Sequence, residues 1–475
     1  MHPIVVDLDG TLIRTDMLHE SALRVMRDKP LDLLRIPYWL ARGKAHLKSN
    51  LASRVAFDPS SLPYNQDLLA WLQAQHAAGR RLILCTASDR SIAEPIADHL
   101  GFFDEVMASD GSSNLAGRNK ADALEARFGR GGYDYVGNSS ADLHVWQGAR
   151  RAIVVNARAG LARQAGRLCE VEKEFPSPAL GMGMLRRVLR AHQWLKNGLL
   201  FVPLLAAHEV FNGDSWIGLL LAFASFSLCA STVYIANDLL DLESDRTHPR
   251  KRARPFASGA VPAWMGVVLA PVLFGLSLVL GSRVGPDFTF WLLVYFAVTC
   301  AYSLRLKQLV LLDCLALAVL YTLRIVAGGA AAGLPMSFWL LAFSMFLFMS
   351  LAFVKRYAEL QLQIMNGKDK AHGRGYATAD APLIQMLGIN TGIAAVLVLA
   401  LYLNSEAVIV QYATPELVWA AVPVMLFWVS WIWLQAHRGH MHDDPVVFAV
   451  KDRVSLLAGT TFGLIVALAA IGWTW

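Results

Sequence analysis

The sequence predicts two domains of different class, an N-terminal α/β domain and a C-terminal all-α polytopic membrane bundle. Three observations carry that reading. The 475-residue chain is 55% hydrophobic and 17% charged, with a mean hydropathy of +0.41, too apolar for a soluble protein of this length. The apolar excess is confined to residues from about 190 onward, whereas residues 1 to about 175 have an ordinary soluble composition. Within that first part, short buried-strand runs end in acidic or polar turns. The five cysteines show no paired spacing, so neither a disulfide framework nor a zinc site is expected. The N-terminus lacks the basic n-region of a cleavable signal. The net charge of +6 is accounted for by loops, so nucleic acid is not implied.

In chain order, Ile4-Val5-Val6 is a strand followed at once by Asp7-Leu8-Asp9-Gly10-Thr11-Leu12. Two carboxylates at the C-terminal end of a strand suit an α/β sheet that carries its site at the strand ends. Arg81–Cys85 is a second strand, ending in Thr86-Ala87-Ser88. Lys120 opens a helical stretch to Phe128, and a third strand, Tyr133–Val136, ends in Gly137-Asn138-Ser139-Ser140-Ala141-Asp142. An insertion at 13–65 reads as helical around Leu31–Leu40, with Arg42, Lys44, His46 and Lys48 beyond. Ala152–Asn156 reads as the last strand, Arg158, Arg163 and Arg167 recur at helical spacing, and 171–189 reads as a linker.

These stations, in this order, resemble the haloacid dehalogenase superfamily over about 150 residues. The resemblance implies a Rossmann-like fold with a helical cap at the 13–65 insertion. It also implies a phosphatase in which Asp7 is the nucleophile, Asp9 the general acid/base, and Thr86 and Lys120 the phosphoryl ligands. Mg2+ would be held by Asp7, Asp9, Asn138 and Asp142. Asn138 stands where the family usually has Asp, which leaves open a weakened or regulatory module.

From about 190, nine spans are expected, near 195–211, 216–236, 263–282, 287–303, 309–331, 337–354, 383–403, 417–434 and 454–475. Fifteen Lys and Arg fall in the loops after even spans, among them Lys368, Lys370 and Arg438, against Arg283 alone after odd spans. That bias places the even loops and the N-terminal domain in the cytoplasm of a bacterial inner membrane. The C-terminus would lie outside, with Trp473 and Trp475 as interface anchors.

The second span runs into Asn237-Asp238-Leu239-Leu240-Asp241, with Asp245 one turn on. Helical spacing puts Asn237, Asp241 and Asp245 on one face with Asp238 beside them. Hard oxygens at a membrane edge suit Mg2+ and a phosphate. Arg246, Arg250, Lys251, Arg252 and Arg254 follow as phosphate partners. Further candidate ligands are Gln193, Lys196, Asn197, Tyr302, Lys307, Asp313, Arg324, Lys355, Arg356, Glu359, Arg374, Lys451 and Arg453. Asp313 and Arg324 lie inside a span, where ionisable groups need a partner or a cavity.

This half resembles the UbiA-type intramembrane prenyltransferases, whose mark is N-D-x-x-D-x-x-x-D. The resemblance implies Mg2+-assisted displacement of pyrophosphate, with Asp238 and Asp241 in the catalytic set. Their usual second cluster, D-x-x-x-D, is halved, because Leu317 follows Asp313 at that spacing. Within the superfamily, Gln193–Asn197, His248–Arg252, Lys355–Leu360 and Asp444-Pro445 with Lys451-Asp452-Arg453 resemble decaprenyl-phosphate phosphoribosyltransferases. That likeness implies phosphoribosyl pyrophosphate and a polyprenyl phosphate as partners and leaves room for homo-oligomers. The expectation is a bifunctional enzyme whose N-terminal domain removes the 5-phosphate. A prenyl-diphosphate-dependent transferase with a regulatory N-terminal domain is the alternative.

Overall fold

A computed structural model describes residues 2–110, 113–156, 160–177, 181–209, 213–367, 374–405, 412–441 and 444–471. Arg158, Lys368, Lys370, Asp443, Trp473 and Trp475 lie outside the described residues. The chain divides into two compact units. One comprises Met1–Leu189 with Tyr234–Pro271, the other Arg190–Val233 with Val272–Trp475.

The first unit is built on β1 (Ile4–Val6), β2 (Leu82–Asp89), β3 (Glu105–Ser109), β4 (Asp134–Gly137), β5 (Arg151–Val155) and β6 (Glu170–Phe175). They form one parallel sheet in the order β3-β2-β1-β4-β5-β6. Alternation along β1 feeds two cores. Ile4 and Val6 pack with Leu68, Leu72, Ile92 and Ile96, while Val5 packs on the other face with Ile83, Leu124, Tyr135 and Trp146. Strand order reverses at β1, so its C-terminal end opens a crevice between β2 and β4. The expected cap forms from Met17–Asp28, Ile36–Ala41 and Lys44–Ala52 around Val25, Trp39, Leu47 and Leu51. It is more broken than expected, since Pro30–Arg35 is a 3-10 turn and Gly43, at φ +108°, separates the last two helices.

Residues 171–175, expected in the linker, belong to β6. In Glu-Val-Glu-Lys-Glu-Phe only Phe175 is buried, the pattern of a charged edge strand covering little core.

Eight helices among the described residues are long and apolar enough to cross a membrane: Ser215–Leu240, Ala263–Val284, Pro286–Leu304, Leu312–Ala332, Phe338–Met365, Thr378–Leu403, Pro415–His437 and Arg453–Ile471. The chain is thus a multi-pass membrane protein. The expected first span differs. Residues Ala191–Phe201 are a 3-10 helix, followed by a short α-helix, Val202–Ala206. Its close packing accounts for the irregularity, because a Cβ at Gly328 would lie 2.0 Å from the Leu200 carbonyl oxygen. In the second unit the helices also meet through polar contacts. Ser350 Oγ donates to the Gly388 carbonyl and accepts from Trp433 Nε1.

Candidate active sites

At the crevice of the sheet, Asp7 follows β1, Thr86 lies in β2, and Asn138 and Asp142 follow β4. Lys120, from the helix Arg118–Phe128, reaches in so that its Nζ lies 2.6 Å from Asp7 Oδ1 and 3.0 Å from Tyr135 Oη. Burial opposes the lysine's charge, but Asp7 outweighs it and holds the ammonium above its ordinary pKa. Asp9 accepts from Met17 N at 2.8 Å and Ser88 Oγ at 2.6 Å. Burial first, then the charge of Asp16, raises its carboxyl to about 7, which suits an acid that gives up a proton near neutrality. Thr86 is fully buried, and its Oγ1 accepts from Ser88 N.

Asp142, expected among the metal ligands, spends both oxygens internally. Oδ2 accepts from Asn138 N, Ser139 N and Ser139 Oγ, and Oδ1 accepts from Tyr135 Oη. It organises the loop that lays Asn138 over Gly10. A Cβ at Gly10 would lie 2.1 Å from Asn138 Nδ2, and its φ of +74° also favours glycine. The crevice therefore joins all six predicted residues, with Tyr135 as a link that its strand pattern disguised.

The acidic ladder also lies in the first unit. Its helix ends at Leu240 and resumes at Leu242–Thr247, yet Asp241 N–Asn237 O and Asp245 N–Asp241 O bonds carry the helical register through the break. Asp238 and Asp245 are buried, and both accept from Arg254 Nη1, Asp238 at 3.2 Å. The ladder thus has its own counter-ion, drawn from the basic run. Lys251 Nζ lies 3.9 Å from Asp245 Oδ1, whereas Arg250 and Arg252 are exposed. Arg246 turns instead to Glu20 of the cap.

The second unit gathers two charged clusters around one helix, Phe338–Met365. Lys355 lies 3.4 Å from Asp444 Oδ2, which also meets Lys196 Nζ at 2.7 Å and Tyr321 Oη at 3.1 Å. Burial pushes the Asp444 carboxyl up, but Lys355 and Lys196 outweigh it and hold it well below the carboxylate range. Next along, the fully buried Arg356 lies 2.5 Å from Asp313 Oδ2, with Arg374 at 3.4 Å from the same oxygen and Tyr376 Oη at 2.6 Å from Oδ1. Both guanidiniums also contact Glu359, and Arg374 reaches Tyr302 Oη at 3.5 Å. Arg324 is buried among neutral acceptors, Asn197 Oδ1, Tyr295 Oη and the Leu320 carbonyl. Gln193 and Lys307 are half-buried, and Lys451 and Arg453 are exposed. Asp444 and Tyr376, which the sequence marks only as neighbours of the candidate ligands, are central to these clusters, and Asp444 also caps the helix Pro445–Lys451.

Magnesium takes hard oxygens, often one or two carboxylates together with phosphate. The carboxylate and amide oxygens of the ladder and of the Asp7–Asp9–Asn138 crevice fit that preference. Among the described residues no group of three or more His, Cys, Asp or Glu side chains forms a cage.

Residues 198–451 match the model of the UbiA prenyltransferase family. The chain belongs to that family. Residues 4–147 match the haloacid dehalogenase-like hydrolase model, so this UbiA-family chain is a fusion of the two. It is 38% identical to the protein y4nM of Sinorhizobium fredii over 96% of this chain and 89% of that one, an alignment that runs through both halves. The nodulation protein NoeC of Azorhizobium caulinodans is 38% identical over 58% of this chain and 90% of its own length. The decaprenyl-phosphate phosphoribosyltransferase of Mycolicibacterium smegmatis is 32% identical over 59% of this chain and 89% of its own.

Proposed function

We propose that this UbiA-family fusion transfers 5-phosphoribose from phosphoribosyl pyrophosphate to a polyprenyl phosphate, and that its N-terminal domain then hydrolyses the 5-phosphate. The observation that carries the reading is the surroundings of Asp313. Where a second acidic cluster would hold a second metal ion, Arg356 and Arg374 close on a single carboxylate. With Lys196 and Lys355 on Asp444, the second unit is rich in cations, which suits a donor and an acceptor that bring several phosphates. Relatives named decaprenyl-phosphate phosphoribosyltransferase support the same substrates.

Asn237, Asp238, Asp241 and Asp245 would hold Mg2+, with Arg254 free to exchange its carboxylates for the donor's pyrophosphate. Bound there, the ion supplies charge stabilisation to the leaving group at the anomeric carbon. Within the second unit, Lys355, Arg356 and Arg374 are the candidate phosphate ligands, and the buried Arg324 holds Asn197 in place. In the phosphatase, Asp7 attacks phosphorus and displaces the ribose alkoxide, which Asp9 protonates; Asp9 then takes a proton from a water that attacks the Asp7 phosphoester and releases inorganic phosphate, with Lys120 neutralising the crowded anions. Asp7, Asp9 and Asn138 would hold that domain's Mg2+, in a loop set by Asp142. The charge bias of the loops supports a cytoplasmic location for both centres, where a soluble donor is available.

The test supplies purified protein with phosphoribosyl pyrophosphate, Mg2+ and a polyprenyl phosphate. Lipid-linked ribose is expected, and its 5-phosphate form should accumulate in Asp7→Asn. Pyrophosphate release from a prenyl diphosphate plus an aromatic acceptor, without any lipid-linked ribose, would replace this reading with ordinary prenyl transfer.

A further inference from the structure

Asp245 and Arg246 are neighbours on one short helix and point to different centres. Asp245 joins Asp238 on Arg254 in the ladder. Arg246 donates Nη1 to Glu20 Oε2 at 3.0 Å, Nη2 to Glu20 Oε1 at 2.5 Å, and Nε to the Ala257 carbonyl at 2.9 Å. Both side chains of this pair are almost wholly buried, 5% and 2% exposed. The Arg246 guanidinium is therefore committed to this contact.

On the phosphatase side, Glu20 sits in the first turns of the cap helix and also accepts from Thr15 Oγ1 at 2.7 Å. The Thr15 carbonyl accepts from Gly10 N, and Met17 N donates to Asp9 Oδ1. Glu20 thus pins the loop that sets the proposed general acid. On the ladder side, the Arg254 carbonyl accepts from Ser258 N, and the turn ends at Gly259, whose φ is +70°. A Cβ at Gly259 would lie 2.5 Å from Arg14 Cβ and 2.8 Å from the Arg14 carbonyl oxygen, so the turn rests directly on the phosphatase loop. Glu243 adds long contacts to Arg24 and Arg27.

We propose that the helix Leu242–Thr247 and the turn at 255–259 form an internal docking surface for residues 10–20, through which occupation of the acidic ladder by magnesium pyrophosphate resets the phosphatase loop. Glu20 and Arg246 are positioning residues on this path. A diphosphate at the ladder competes for Arg254, whose backbone carries the turn that meets Arg14. A buried bidentate pair holds only when complete, so the contact has two settings. The inference rests on the ladder binding a metal–diphosphate, but not on which diphosphate donor the transferase uses.

The experiment follows backbone hydrogen exchange of residues 10–20 in the full chain in detergent at a constant, saturating Mg2+ concentration, with and without pyrophosphate. Phosphomonoesterase turnover of p-nitrophenyl phosphate is measured in parallel. In the wild type, exchange and turnover should each change at least threefold. Asp238→Asn, which disables the ladder, and Arg246→Met should each abolish the response, while exchange in β5 stays at its wild-type rate. Swapping the charges, Glu20→Arg with Arg246→Glu, should restore part of it. A wild-type chain that shows no response overturns the inference, as does a response that survives either single substitution. Direct competition at Asp7 would show itself as the response that survives Asp238→Asn. Absence of lipid-linked ribose in the separate transferase assay would remove the donor assignment and leave this result standing.

Discussion

At the scale of single residues, both centres depend on charges kept in pairs. Asp7→Asn removes the proposed attacking carboxylate and also leaves the buried Lys120 without its anion. Phosphomonoesterase turnover is expected to fall by about a thousandfold or more, with lipid-linked phosphoribose still formed; loss of both products would refute the division of labour. Arg254→Met leaves Asp238 and Asp245 buried side by side with their main cation gone. Transferase turnover should fall, and raised Mg2+ should recover part of it, a rescue that separates electrostatic neutralisation from simple misfolding. Asp134 offers a pH test. Burial pushes its carboxyl up, but Arg150 and Arg80 outweigh it and depress the pKa. A depressed carboxylate stabilises the fold above the ordinary Asp value of about 4 and loses that contribution as pH falls further. The urea midpoint of Asp134→Asn should therefore lie below wild type at neutral pH and converge with it in acid. Much at this scale was legible in the sequence, because D-x-D-G-T-L and N-D-x-x-D each concentrate costly carboxylates at one spot. The counter-ions were less legible. Arg246 and Arg254 read alike within a basic run, and only the fold separates the one that turns to Glu20 from the one that turns to the ladder.

At the scale of elements, hydrophobic period located most strands and all the long helices, and failed where packing overrides it. β6 was hidden because an edge strand that buries only Phe175 carries no two-faced apolar pattern. Residues 195–211 read as a membrane span, but Ala191–Phe201 winds as a 3-10 helix where its backbone lies against Gly328. Gly328→Leu should disrupt this contact, costing about 1–3 kcal/mol in the manner of overpacked cores, measurable as a lower thermal midpoint in detergent. Gly328→Ala should show a smaller loss of the same sign. A Leu variant as stable as the wild type would mean that the 3-10 segment does not need this approach.

At the scale of the whole molecule, sequence matching and compactness divide the chain differently. The family models end at 147 and begin again at 198, whereas the first compact unit reaches forward to take in Tyr234–Pro271. No local pattern marks that exchange, since it depends on contacts such as Gly259 on Arg14, more than two hundred residues apart in sequence. A chain lacking residues 1–189 should accordingly lose protection of residues 242–259 in hydrogen exchange. Retained protection there would argue that the transferase loop is self-supporting.

The buried Glu20–Arg246 pair also has a topological meaning. A membrane cannot lie between two side chains in contact, so the N-terminal domain and the loop after Leu240 share one side of it. Between Leu189 and Arg246 the chain must then cross an even number of times. The helix Ser215–Leu240 supplies one crossing, and parity assigns the return to the stretch that precedes it. The irregular winding of Ala191–Ala206 suits that task. At about 2.0 Å per 3-10 residue and 1.5 Å per α residue, it reaches roughly 30 Å, the thickness of a hydrocarbon core. The ion pair thus bears on the parity of the crossings that precede Arg246, and a reporter placed at residue 209 is expected to face the side opposite one placed at residue 250.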